Sequence, residues 1–156
     1  MLKVNGERVT LSLEKGFARI ERQWQKGDTI DLSLPMPVRR IVAHPQVKAD
    51  RGKVALQRGP LVFCLEGRDN DGKVANLVIA DDAPIKTEDK PDLLNRVMVL
   101  TGTAQVAKRT VEGGVVAAGT RPFTAIPYYA WAHRGRSPMT VWVAREVQAA
   151  RPEPAQ

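Results

Sequence analysis

The sequence predicts an all-β protein with an antiparallel β-sandwich architecture, and three observations carry that reading. Turn signals recur about every 8–12 residues, the spacing of sandwiches and barrels. The segments between them either alternate apolar and polar residues or run continuously apolar. Helical periodicity is missing except at Arg145–Ala150, where one or two turns are expected. At 156 residues, 43% of them hydrophobic, the chain is long enough to bury a core without covalent staples.

The elements follow in order. Asn5-Gly6 is a two-residue hairpin signal between Leu2–Val4 and Val9–Leu13. Lys15-Gly16 breaks the chain before Phe17–Arg22, and Lys26-Gly27-Asp28 leads into a strand with Ile30, Leu32 and Leu34 on one face, read as half-buried. Pro35 and Pro37 interrupt the ladder because neither donates a backbone hydrogen bond. Val38–Ala43 is extended again. Leu61–Leu65, behind Gly59-Pro60, reads as a strand buried on both faces. Val74–Ile79 is the next strand, residues 80–92 form an acidic loop, and Leu93–Ala104 with Val106–Ala118 make a long strand pair bent at Gly113-Gly114. Phe123–Arg134 and Met139–Val143 close the fold.

Composition removes several function classes. The single cysteine, Cys64, excludes an internal disulfide and any multi-cysteine metal site. It lies in an apolar run, where a thiol behaves as a small hydrophobe. Net charge is +7, yet the basic residues are scattered, which argues against nucleic acid as a partner. No apolar stretch approaches a membrane span and no secretory signal opens the chain, so no membrane partner is expected and the cytoplasm is the default location. Asp69-Asn70-Asp71-Gly72 is a turn, because Lys73 and Ala80 stand where a calcium loop needs oxygen ligands. His44 and His133 have no metal-spaced partners. The pairs Asp81-Asp82 and Glu88-Asp89 read as solvated loop rather than as a glycosidase acid/base pair.

One segment has binding character. In Ile126-Pro127-Tyr128-Tyr129-Ala130-Trp131-Ala132-His133-Arg134, strand geometry puts Tyr129, Trp131 and His133 on one face, with Trp24 a further aromatic candidate. Flat aromatics beside His and Arg stack on sugar rings; the same residues also plug sandwich cores.

The motifs then form a recognisable series. Val4-Asn5-Gly6-Glu7, Lys15-Gly16-Phe17-Ala18-Arg19-Ile20, Trp24-Gln25-Lys26-Gly27-Asp28 and Leu34-Pro35-Met36-Pro37-Val38-Arg39 are followed by Val54-Ala55-Leu56-Gln57-Arg58-Gly59-Pro60-Leu61-Val62. The closing Ile126–Arg134 segment and Met139-Thr140-Val141-Trp142-Val143 complete the set. Together they resemble the C-terminal sandwich region of glycoside hydrolase family 127, typified by β-L-arabinofuranosidase. The resemblance implies a non-catalytic region. Family members hydrolyse glycosidic bonds in a preceding helical (α/α)6 barrel, with a zinc-bound cysteine nucleophile and a glutamate acid/base. None of those motifs has a counterpart here, and Cys64 sits in a different one. The resemblance therefore implies no catalytic residue and no cofactor in this chain, whose expected partner is the catalytic barrel of the same enzyme or a copy of itself. The alternative is an independent carbohydrate-binding module using Tyr129, Trp131 and Trp24. The family resemblance also implies that the chain enters part-way through the first sandwich. Residues 1–46 would be a partial first sandwich and 47–138 a complete second one. Residues 139–146 would be a strand returning to the first, and 147–156 a tail.

Overall fold

A computed structural model describes residues 1–154. The fold is all-β: the described residues form fourteen strands, short 3-10 turns and two compact units, Met1–Met36 and Pro37 onward.

In the first unit, β1 (Leu2–Val4) pairs antiparallel with β2 (Glu7–Arg8) and with β5 (Ile30–Leu32). Asn5 and Gly6 both take positive φ, 51° and 81°, giving the primed turn whose twist suits a two-residue hairpin. Lys15 and Gly16 do the same between β3 (Ser12–Glu14) and β4 (Phe17–Arg19). Asp28 clamps the first hairpin: its carboxylate accepts the Gln25 N–H at 2.9 Å and the Asn5 side-chain amide at 2.7 Å. These hydrogen bonds hold its carboxyl below the usual range. Leu2 and Val4 are buried, whereas Leu13, Phe17, Ile30, Leu32 and Leu34 are exposed. The half-buried strand expected at Ile30–Leu34 is thus an exposed one, because the short ladders of this unit supply no layer over that face.

The second unit holds β6 (Val38–Ile41), β7 (Lys53–Arg58), β8 (Leu61–Glu66), β9 (Leu77–Val78), β10 (Ile85–Lys90), β11 (Val97–Arg109), β12 (Val115–Pro127), β13 (Met139–Thr140) and β14 (Val143–Ala144). They form one nine-stranded sheet in the order β13-β8-β12-β11-β9-β14-β7-β6, with β10 on β11. An additional β7–β8 pairing folds the sheet back on itself and closes a circuit of hydrogen-bonded strands. All pairings are antiparallel except a single parallel bridge from Ala144 to Val78. Leu56, Phe63, Leu65, Leu77, Ile79, Leu100 and Phe123 fill the space inside.

Several expected boundaries move. The units divide between Met36 and Pro37, not at residue 46, because Val38–Ile41 pairs residue by residue with Ala55–Arg58. Met139–Thr140 and Val143–Ala144 do not return to the first unit: they pair with β8 and with β7 and β9 of the second. The stretch 80–92 contains β10, an edge strand hydrogen-bonded along β11. The long hairpin turns at Thr110–Gly114, and the break expected near Gln105 is a bulge within β11. Val74–Ile79 shortens to two strand residues, and the helical turns expected over 145–150 reduce to a 3-10 turn at Val147–Ala149. In Leu61–Leu65 the C-terminal half is buried as expected, while Val62 points outward.

Candidate functional site

The aromatic segment leaves the sheet at Pro127. β12 ends there and Tyr128–Ala130 winds into a 3-10 turn, because Pro127 donates no ladder hydrogen bond. The spacing along this segment is therefore three, not two. Tyr128, not Tyr129, shares a side with Trp131, their rings stacked with centroids 6.0 Å apart and planes 11° from parallel. Tyr128, Tyr129 and Trp131 are 45%, 62% and 40% exposed, so they form a surface platform and Ala130 is the residue that plugs the core. His133 is exposed in the following turn, two positions beyond Trp131. Trp24 lies in the first unit, where the Arg22 guanidinium sits 5.2 Å from its ring centroid. A cleft of about 420 Å³ adjoins the platform, lined by Trp131, Ala132, Arg136, Ser137 and Pro138.

What fixes the platform is a group absent from the sequence reading. Glu66, the last residue of β8, is 1% exposed. Its Oε1 accepts the backbone N–H of Ala132 at 2.9 Å, and its Oε2 accepts from the Arg134 guanidinium at 2.6 Å. Arg134 also donates two hydrogen bonds to Asp69, the first at 2.8 Å. The Asp69 hydrogen bond foremost, opposed by burial and joined by Glu66, raises the pKa of Arg134, so its charge is permanent. Ala132 holds φ at +65°, a conformation that non-glycine residues rarely take and that neighbouring contacts must enforce. The available signal was a charged residue ending an apolar strand, Leu61–Glu66. Nothing in spacing says that its partner lies at Arg134.

Chemistry elsewhere is sparse. Cys64 is fully buried, and burial, reinforced by Glu66 and Asp69, pushes its thiol up to about 12. Asp81 pairs with Arg145, Glu88 with Lys90, and Asp89 with Arg96. Among the described residues, no three or more His, Cys, Asp or Glu side chains gather in a group that could hold a metal ion. No helix among the described residues is long and apolar enough to cross a membrane.

The closed, mostly antiparallel sheet with its aromatic turn defines an all-β domain. Residues 38–144 match the glycoside hydrolase family 127 C-terminal domain, and residues 1–36 match the β-L-arabinofuranosidase GH127 middle domain. The chain belongs to glycoside hydrolase family 127. It is 36% identical over 160 residues to a non-reducing end β-L-arabinofuranosidase of Bifidobacterium longum, covering 92% of this chain and 24% of that protein. The crystal structure of a GH127 β-L-arabinofuranosidase from Geobacillus stearothermophilus T6 matches with TM-score 0.79 and 47% identity, over 92% of this chain and 24% of that one. A GH127 β-arabinofuranosidase structure matches with TM-score 0.87 and 38% identity, over 98% and 24%. The chain thus spans about a quarter of the length of these relatives, and it corresponds to a C-terminal part of such an enzyme.

Proposed function

We propose that this chain is a non-catalytic β-region of a family 127 glycoside hydrolase of the β-L-arabinofuranosidase type. In this reading it supports a separate helical-barrel catalytic domain that acts on arabinose-containing glycans. The observation that carries the reading is the pair of matches to the family's middle and C-terminal domains over a quarter of the relatives' length. The site chemistry agrees with it. A glycosidase needs a positioned nucleophile and an acid. Here the one thiol is buried and protonated, and Glu66 and Asp69 are both ion-paired with Arg134.

The test is turnover of aryl β-L-arabinofuranosides by the purified chain, with and without zinc and reductant. The expected result is none. Turnover that Cys64→Ser abolishes would overturn the reading.

A second reading is favoured by one specific observation, the exposed and stacked Tyr128–Trp131 pair beside Tyr129. Such a surface contacts either a glycan or the partner, which is the catalytic barrel or a second copy of the chain. Titration with arabino-oligosaccharides, followed by tryptophan fluorescence, separates the two. A saturable change lost in Trp131→Ala supports glycan contact, and its absence assigns the platform to the partner.

A further inference from the structure

Another cleft of the second unit, which shares Pro138 with the cleft beside the aromatic turn, has a volume of about 790 Å³, a size typical of small-molecule sites. Three segments and Pro138 build it: the loop after the Asp71-Gly72 turn, the end of β11 with the hairpin turn beyond it, and the tail from Arg151 to Pro154. The tail is held against the loop by the Arg151 N–H, which donates to the Ala75 carbonyl at 2.8 Å. Each segment brings cations: Lys73 from the loop, Lys108 and Arg109 from β11, and Arg151 from the tail. Glu153 is the lone carboxylate among the lining residues. It is spent on Lys73, whose Nζ donates to it at 2.6 Å. The walls between the charges are apolar, with Val106, Val111, Pro138 and Pro152 among them.

We propose that this cleft binds an acidic oligosaccharide, a chain of sugars bearing carboxylates, at Lys73, Lys108 and Arg109. Three features select that chemistry. The excess of cations calls for an anion, and a carboxylate already occupies one of them: Glu153 stands where a ligand's carboxylate would sit. The cations come from three separate segments around a cleft of several hundred cubic ångströms, which suits repeated charges better than a single small ion. Finally, the Asn76 Oδ1 at the cleft is buried and has no hydrogen-bond partner among the described residues. A buried acceptor of this kind is normally satisfied, and a ligand hydroxyl, or a water that it orders, satisfies it here. The apolar walls offer contact to the C–H faces of the sugars. The tail is then a built-in competitor, its Glu153 leaving Lys73 when the ligand arrives.

The test is calorimetric titration of the full chain with tri-galacturonic acid, neutral arabinotriose and inorganic phosphate at low and high salt. Tri-galacturonic acid should bind, more weakly at high salt, and arabinotriose should not. Lys73→Ala and Lys108→Ala should each weaken binding about tenfold, the effect of one charge-assisted contact. Glu153→Gln should tighten binding severalfold by removing the competing carboxylate. Unchanged circular dichroism and melting temperature show that the variants are folded; these side chains lie at the surface, so folding is expected to persist. Three results would overturn the proposal: no binding to Glu153→Gln, affinity unmoved by Lys73→Ala and Lys108→Ala, or phosphate binding as tightly as the trisaccharide.

Discussion

Replacing Arg134 with methionine removes the one cation shared by Glu66 and Asp69 while keeping most of the side-chain volume. Glu66 is then a carboxylate with a single remaining partner, the Ala132 N–H, in a setting where it is 1% exposed. Removing one partner of a buried pair costs about 3–5 kcal/mol, since the remaining charge keeps its desolvation penalty. Asp69, more open to water at 16% side-chain exposure, adds less. For a unit of this size the loss corresponds to roughly 10–20 °C in Tm. Thermal and urea unfolding read the global effect. Amide exchange at Ala132 reads the local one, which should rise well beyond the average as the aromatic turn loosens. Glu66→Gln in the same background should recover much of the loss, because a neutral amide keeps a carbonyl for the Ala132 N–H. A Tm within a few degrees of the parent in Arg134→Met, with Ala132 still protected, would refute the claim that this ion group holds the platform.

Other consequences are measurable. Cys64→Asp puts an unpaired charge into the core and should cost several kcal/mol; a variant melting close to the parent would show that β8 is not the buried strand described. The native Cys64 thiol should resist thiol reagents near neutral pH. Its folded pKa is raised, so its contribution to stability is complete below the unfolded value of about 8.5. It is lost as pH climbs from there towards about 12, and alkaline unfolding unchanged in Cys64→Ala would contradict this. Gly102→Ala should destabilise by about 1–3 kcal/mol, because an added Cβ would lie 2.7 Å from the Pro84 carbonyl and 2.8 Å from the Phe123 ring; a neutral effect on urea unfolding would count against that packing. Limited proteolysis should cut within residues 1–36 first, where Leu2 and Val4 are the buried apolar residues and Leu13, Phe17, Ile30 and Leu32 are exposed. These exposed apolar residues should make the chain prone to associate at high concentration. Uniform protection of a monodisperse monomer would contradict both expectations.

Local chemistry made the turns and the central strand legible. Asn5-Gly6 and Lys15-Gly16 carry positive φ where glycine permits it, and Phe63, Cys64 and Leu65 are buried as an apolar run demands. What failed was whatever depends on distant partners. Ile85–Lys90 is polar and carries no alternation signal. It is a strand only because β11 offers it a ladder of hydrogen bonds. Ile30–Leu32 has the alternation of a half-buried strand, and yet the unit supplies nothing to cover it. At the candidate site, the aromatics were visible in the sequence but their arrangement was not. Pro127 ends the strand one residue before Tyr128, and a period of two gave the wrong companion for Trp131. Glu66 was invisible because a buried charge is recognised only with its partner, and Arg134 lies 68 residues away.

The closed strand circuit also dictates a timetable for synthesis. β7 and β8 are made before β12 and β14, yet β8 pairs with β12, and β7 pairs with β14 through Val143 and Ala144. Until those residues leave the ribosome, Phe63 and Leu65 belong to a hairpin with an open apolar side, the state most exposed to wrong partners and to chaperones. Closure joins strands far apart in sequence, which makes folding of this unit slow relative to local hairpin formation. A ribosome stalled before Val143 should therefore carry a nascent chain with its first hairpins formed and its second unit still open.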